Sequence, residues 1–139
     1  MRRDLGGGIE LDDDKARVDI DAVHDYLANR SYWAVGRSRA EVVRHLDEAA
    51  RVLGLYTGSR QIGYARVEIQ GETAYLADVS VLPEAQGRGL GVELVREAVE
   101  NGPQAAMAWR LRTDDAHSLY ERFGFVRVDE RVMERAAAD

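Results

Sequence analysis

Apolar residues recur along the chain with two different periods, and the switches between them divide it into elements. Ile20, Val23 and Leu27 fall at helical spacing, with Asp19 or Asp21 placed to cap the start, so Asp19 to Asn29 reads as a helix. Ser38 stands three residues before Glu41, the spacing of a capping box, and opens a second helix to about Glu48 with Ala40, Val43 and Leu46 facing inward. Three runs of strand character follow, Arg51 to Thr57, Gln61 to Gln70 and Thr73 to Leu82. The middle one alternates, with Ile62, Tyr64 and Arg66 on one face and Ala65, Val67 and Ile69 on the other. Gly58-Ser59 and Gln70-Gly71-Glu72 are turn signals, so the three strands read as an antiparallel meander. Arg88 to Asn101 is helical, with Leu90, Leu94, Val95 and Ala98 on one face, and Asn101-Gly102-Pro103 stops it. Ala106 to Arg112 is a strand. Asp114 or Asp115 caps a helix through Phe123, with Gly124 suited to its C-terminal turn. Phe125 to Val128 and Arg131 to Met133 are closing strands.

This order predicts a mixed α/β domain: a central, mostly antiparallel sheet of about six to seven strands with about four helices on its faces. Met1 to Lys15 is rich in Gly and Asp and reads as an N-terminal arm, disordered in part or carrying a short edge strand at Gly8-Ile9-Glu10-Leu11, ahead of a single domain over residues 16–139.

Composition narrows the chemistry. The 139 residues suffice for one domain with a core. Net charge is −6, which argues against a general nucleic-acid binder. No apolar run reaches the length of a membrane span, and the start lacks an apolar signal core, so a cytoplasmic protein is expected. There is no cysteine, hence no disulfide framework and no thiolate for a metal or a covalent step. Lys15 is the single lysine among 19 basic side chains and sits in a polar stretch, which disfavours Schiff-base chemistry. No metal site is expected.

The sharpest local signal is Val79-Ser80-Val81-Leu82-Pro83-Glu84-Ala85-Gln86-Gly87-Arg88-Gly89-Leu90-Gly91. A strand ends at Pro83, a loop places glycines at alternate positions, and an amphipathic helix begins. Exposed amides at a helix N-terminus and the helix dipole favour an anion, glycines let it approach, and Arg88 adds positive charge. A P-loop would need Gly-Lys-Ser/Thr, which is absent. A dinucleotide fingerprint G-x-G-x-x-G fails because Val92 and Leu94 stand where the third glycine belongs.

The run instead resembles the acetyl-CoA signature of the GNAT superfamily of N-acetyltransferases, Q/R-x-x-G-x-G/A, met here by Gln86, Gly89 and Gly91. Leu111 to Phe125, with Ala116-His117-Ser118-Leu119-Tyr120 and then Phe123-Gly124-Phe125, is similar to a later motif of the same family. The resemblance covers roughly Arg51 to Met133.

That resemblance implies acetyl-CoA as cofactor, with pantetheine hydrogen-bonded along Val79, Ser80 and Val81, an amide at Val79 or its neighbour holding the developing oxyanion, and pyrophosphate on the amides of Gln86, Gly87, Arg88, Gly89, Leu90, Gly91 and Val92. Thr113 stands where relatives often carry a cofactor-contacting asparagine. Tyr120 occupies the place of the general acid that protonates the leaving thiolate. Asp78, an acid in an otherwise apolar strand, is the first candidate for general base, since burial would raise its pKa toward a useful value. His117 and Glu68 are second choices, also for contacting the acceptor, and an ordered water chain is a third; Tyr32 and Trp33 fall where relatives often line the acceptor site. The expected reaction is direct transfer to a primary amine of a small molecule. Acetylation of a protein or peptide and non-catalytic sensing of acyl-CoA are the alternatives, and a homodimer is the expectation by analogy.

Overall fold

A computed structural model describes residues 1–139 of the chain. Eight strands form one sheet in the order β1-β2-β3-β4-β5-β6-β8-β7. These are β1 (Arg2–Gly6), β2 (Ile9–Asp12), β3 (Arg51–Thr57), β4 (Arg60–Gln70), β5 (Thr73–Val81), β6 (Ala108–Arg112), β7 (Val126–Arg127) and β8 (Val132–Arg135). The helices are α1 (Ile20–Arg30), α2 (Arg39–Glu48), α3 (Leu90–Val99) and α4 (His117–Glu121). No helix is long and apolar enough to cross a membrane.

The sheet is antiparallel throughout except where β5 and β6 run parallel. Helix α3 makes the crossover that a parallel pair requires. The meander β3–β4–β5 is the one expected from the turn signals. Of the two readings of the N-terminal stretch, the strand is the one found: Ile9–Asp12 is β2, which with β1 forms a hairpin that extends the sheet, and Leu11 is fully buried. That hairpin brings the strand count to eight.

Two apolar clusters occupy opposite faces of the sheet. One joins Leu90, Leu94, Val95 and Ala98 of α3, the face expected from the sequence, to Tyr120, Phe123 and the sheet residues Leu53, Val67 and Leu111. The other packs Val23 and Leu27 of α1 and Val42 and Leu46 of α2 on Val52 and Tyr64. Burial of each such aliphatic side chain contributes about 1.5–3 kcal/mol. The face of α2 thus differs from the expected one: Val42 is buried, Val43 only partly so and Ala40 is exposed.

Capping explains the helix boundaries. Asp19 accepts from the Ala22 amide and Ser38 from the Glu41 amide. Helix α4 is a single short turn and is not capped by Asp114 or Asp115. It has no side-chain cap; Thr113 Oγ1 accepts from the amide of Ala116, the residue before its first turn, at 3.0 Å.

Candidate active site

The site begins with an irregularity in β5. Tyr64 pairs with Ser80, but Arg66 pairs with Ala77, so two β5 residues, Asp78 and Val79, stand opposite Ala65. This is a β-bulge, and Asp78 has φ 57°, the one non-glycine residue with positive φ in the chain. Aspartate tolerates the left-handed region better than most residues, though at a cost glycine would avoid. Its retention there is explained by its carboxylate. Trp33 Nε1 donates to Oδ1 at 2.9 Å, while Arg37 Nη1 at 2.6 Å and Arg66 Nε at 2.7 Å share Oδ2.

Beside the bulge the sheet opens. The parallel pairing of β5 with β6 runs from Thr73–Ala108 to Leu76–Leu111 and stops there. Beyond it no ladder pairing joins Ala77 to Val81 with the segment after Arg112. Two cavities fill the gap. One, of about 390 Å³, is lined by Val79, Ser80, Val81 and the loop and first turn of α3, including Gln86, Gly87, Gly89, Leu90, Gly91 and Val92. The other, of about 260 Å³, is lined by Tyr32, Trp33, Tyr75, Asp78, Thr113 and neighbouring arginines. Val79, Ala116 and Tyr120 line both, so the two spaces meet at these three residues.

The first cavity carries an anion site built from main chain. The N-cap of α3 is Gly89, with φ 74° and no side-chain capping bond, and the first intrahelical bond runs from the Glu93 amide to the Gly89 carbonyl. The amides of Leu90, Gly91 and Val92 therefore point out of the helix end without helical partners. Gly87 has φ 83°, so the chain turns in a conformation that a side chain would strain. The Gln86 side chain donates to the Val81 carbonyl at 3.0 Å and fixes the loop against β5. Arg88 does not line this cavity. It lines an adjoining surface hollow with Arg3, Asp4 and Arg122, and that hollow shares Gly89, Leu90 and Val92 with the cavity, so its positive charge stands beside the same helix end.

The second cavity is roofed by the segment between α1 and α2. Tyr32 and Trp33 meet edge-to-face at 5.1 Å. The Tyr32 hydroxyl accepts from the Asp114 amide at 2.8 Å and lies 3.4 Å from Asp115 Oδ1. With the bonds from Trp33 and Arg37 to Asp78, this roof is tied to both lips of the opening.

The candidate residues divide accordingly. Tyr120 is buried, packs edge-to-face on Phe125 at 6.0 Å, and lies where the cavities join. Burial, reinforced by Tyr32 and Asp115, pushes its phenol well above the ordinary value, so it keeps its proton at neutral pH. For Asp78, burial acts upward, but Arg66 and Arg37 outweigh it and hold the carboxyl below the usual carboxylate range. Its three hydrogen bonds also occupy both oxygens. The expectation of a base with a raised pKa is corrected here: the two arginines were the unseen partners. Thr113 is buried at the cavity wall, but its hydroxyl is engaged by the Ala116 amide. Glu68 and His117 line neither cavity. Glu68 is ion-paired to Arg66, and His117 Nε2 is 2.9 Å from the Glu130 carbonyl oxygen. Sequence reasoning missed Arg37, Arg66, Tyr75, Arg112 and Asp115 on the second cavity.

Known proteins share this architecture. A family model described as an acetyltransferase (GNAT) domain matches residues 48–127. A crystal structure of a protein assigned to the GNAT acetyltransferase family, from Xanthomonas campestris pv. campestris, superposes with a TM-score of 0.77 at 33% identity, covering 86% of this chain and 84% of that one. A mycothiol acetyltransferase of Rhodococcus jostii is 31% identical over 116 residues, 81% of this chain and 36% of the relative, so the chain spans about a third of that protein's length. A GNAT acetyltransferase from Brucella melitensis, crystallised with acetyl-CoA, shares the fold with a TM-score of 0.71 at 19% identity, covering 92% of this chain and 87% of that one.

Proposed function

The chain belongs to the GNAT acetyltransferase family, and on that premise we propose that it transfers the acetyl group of acetyl-CoA directly to a primary amine of a small molecule. The observation that carries this reading is the junction of the two cavities at Val79, Ala116 and Tyr120. One cavity ends on an uncapped helix N-terminus suited to a diphosphate. The other is a half-open, aromatic-roofed space of about 260 Å³, nearer in scale to a small acceptor than to a polypeptide groove.

The residues fit acetyl-CoA, which supplies an activated thioester when bound. The amides of Leu90, Gly91 and Val92 grip its pyrophosphate, with Gly87 and Gly89 keeping side chains out of the way. The bulge breaks the β4–β5 ladder at Val79, which lines both cavities, so its amide is the candidate that would stabilise negative charge developing on a thioester oxygen there. Tyr120 donates its proton to the departing sulfur. The acceptor ammonium loses its proton to water in the second cavity, because Asp78 is held by its arginines. With no cysteine in the chain, the acetyl group passes without a thioester on the protein.

The test is to incubate the protein with acetyl-CoA and an amine panel and to follow free thiol. Thiol release with a small amine supports the reading. Tight binding of acetyl-CoA without thiol release on any amine would instead identify a sensor of the cofactor.

A further inference from the structure

The second cavity has a charge character that neither the cofactor nor the transfer chemistry explains. In a chain of net charge −6, its wall carries three arginines, Arg37, Arg66 and Arg112, against two aspartates, Asp78 and Asp115. The cofactor cavity, by contrast, has no charged side chain in its lining. The arginines are therefore not there for the phosphates.

Their engagement differs. Arg66 is spent on Asp78 and Glu68, and Arg37 uses one nitrogen on Asp78. Arg112, the last residue of β6, is exposed at the opening, where the other arginines and Asp114 of the neighbourhood have partners and it has no ion pair. The field of the cluster is felt nearby: the His45 imidazole of α2 is held below its ordinary pKa, first by burial and then by Arg66 and Arg37. Of the two carboxylates, Asp78 is fully occupied, whereas Asp115 is approached only by the Tyr32 hydroxyl at 3.4 Å. Arg112 and Asp115 lie three residues apart on the same β6–α4 lip.

We infer that the acceptor is an amine that also carries a carboxylate, with Arg112 and the free face of Arg37 holding the carboxylate and Asp115 receiving the ammonium before it loses its proton. An amino acid or a close analogue has this chemistry, and guanidinium groups match a carboxylate in both charge and geometry. This inference rests on the acetyl-transfer reading and narrows it.

Initial rates of thiol release are compared for L-phenylalanine, L-phenylalaninamide and phenethylamine, and for the same series built on methionine. The carboxylates are expected to give kcat/KM at least about tenfold above their carboxamides and decarboxylated amines. Arg112→Gln, at an exposed position, is expected to erase that preference through KM for the carboxylate while the KM for acetyl-CoA stays as in the parent. Calorimetry of L-phenylalanine into protein saturated with coenzyme A gives a readout independent of turnover, and binding there weakened by Arg112→Gln supports the assignment. Preference for the neutral or purely cationic amines, or a preference that survives Arg112→Gln, overturns the inference and leaves the transfer reading standing. Thiol release from none of the panel overturns both.

Discussion

Tyr120 and Asp78 stand two residue types apart in how they can move protons, and their surroundings separate them further. The phenol is buried and pushed upward, so it is protonated and able to donate at neutral pH. Tyr120→Phe is expected to retain acetyl-CoA affinity while turnover falls by about 10²-fold, the scale of losing a general acid. Stopped or steady-state thiol assays beside calorimetry would check this, and a near-parent rate would remove Tyr120 from the mechanism. Asp78 is a positioning residue: it holds the bulge by its backbone and the roof by its carboxylate. Asp78→Asn is expected to cost about 3 kcal/mol of stability, since half-buried Arg37 loses its ion pair and buried Arg66 keeps only Glu68. The acid limb of its residual kcat/KM profile should stay where the parent has it. A limb that vanishes would restore Asp78 as the base. Tyr120 was legible in the sequence because its motif is local. The role of Asp78 was not, because Trp33 and Arg37 reach it from a segment more than 40 residues earlier and leave no mark in its own neighbourhood.

Elements whose boundaries are written by local chemistry were read correctly, and those decided by partners were not. The caps at Asp19 and Ser38 and the turn glycines fix α1, α2 and the meander within a few residues of each other. The inward face of α2 escaped because Val42 and Val43 fit the helical period almost equally, and only the position of Val52 and Tyr64 below selects Val42. Strand order escaped as well: β8 lies between β6 and β7, and no periodicity within a two-residue strand could announce its neighbours. The α3 N-terminus is the element with the clearest functional consequence. A side chain at Gly89 has open space around it, yet φ 74° strains any L-residue there. Gly89→Val is therefore expected to cost about 1–2 kcal/mol in stability and to tilt the amides of the cradle. Acetyl-CoA affinity should fall at least about tenfold with the fold retained, as seen by calorimetry alongside circular dichroism. Unchanged affinity would place the diphosphate elsewhere.

At the scale of the whole molecule, buried and half-buried carboxylates tie parts that are distant in sequence. Asp78 joins the roof to β5. Asp12 pairs with Arg17 and Arg2, while Asp13 joins the N-terminal amine to Arg51, which also reaches Glu97 on α3. Asp13 to Arg51, together with Arg3 to Glu93 and Glu97, fastens the N-terminal hairpin to the rest of the domain, which is why the glycine- and aspartate-rich start is part of it: Asp12 and Asp13 are ion-pair partners, while Asp4 and Asp14 face solvent. In Asp12, Asp13 and Asp78 burial acts upward, and the cationic partners more than offset it, so the folded pKa lies below the ordinary value of 3.8. A depressed folded pKa means that the unfolded chain binds protons first as pH falls, so the stabilisation is complete above the unfolded value and is lost on the way down through the folded ones. Unfolding free energy from urea titrations should accordingly be nearly level from about pH 7 to about pH 5 and fall steeply below about pH 4. In Asp78→Asn the same titration should lose less on acidification, because one of the three titrating links is already gone. A parent protein whose stability held constant down to about pH 2, or rose, would contradict the assignment of these aspartates as charged anchors of the fold.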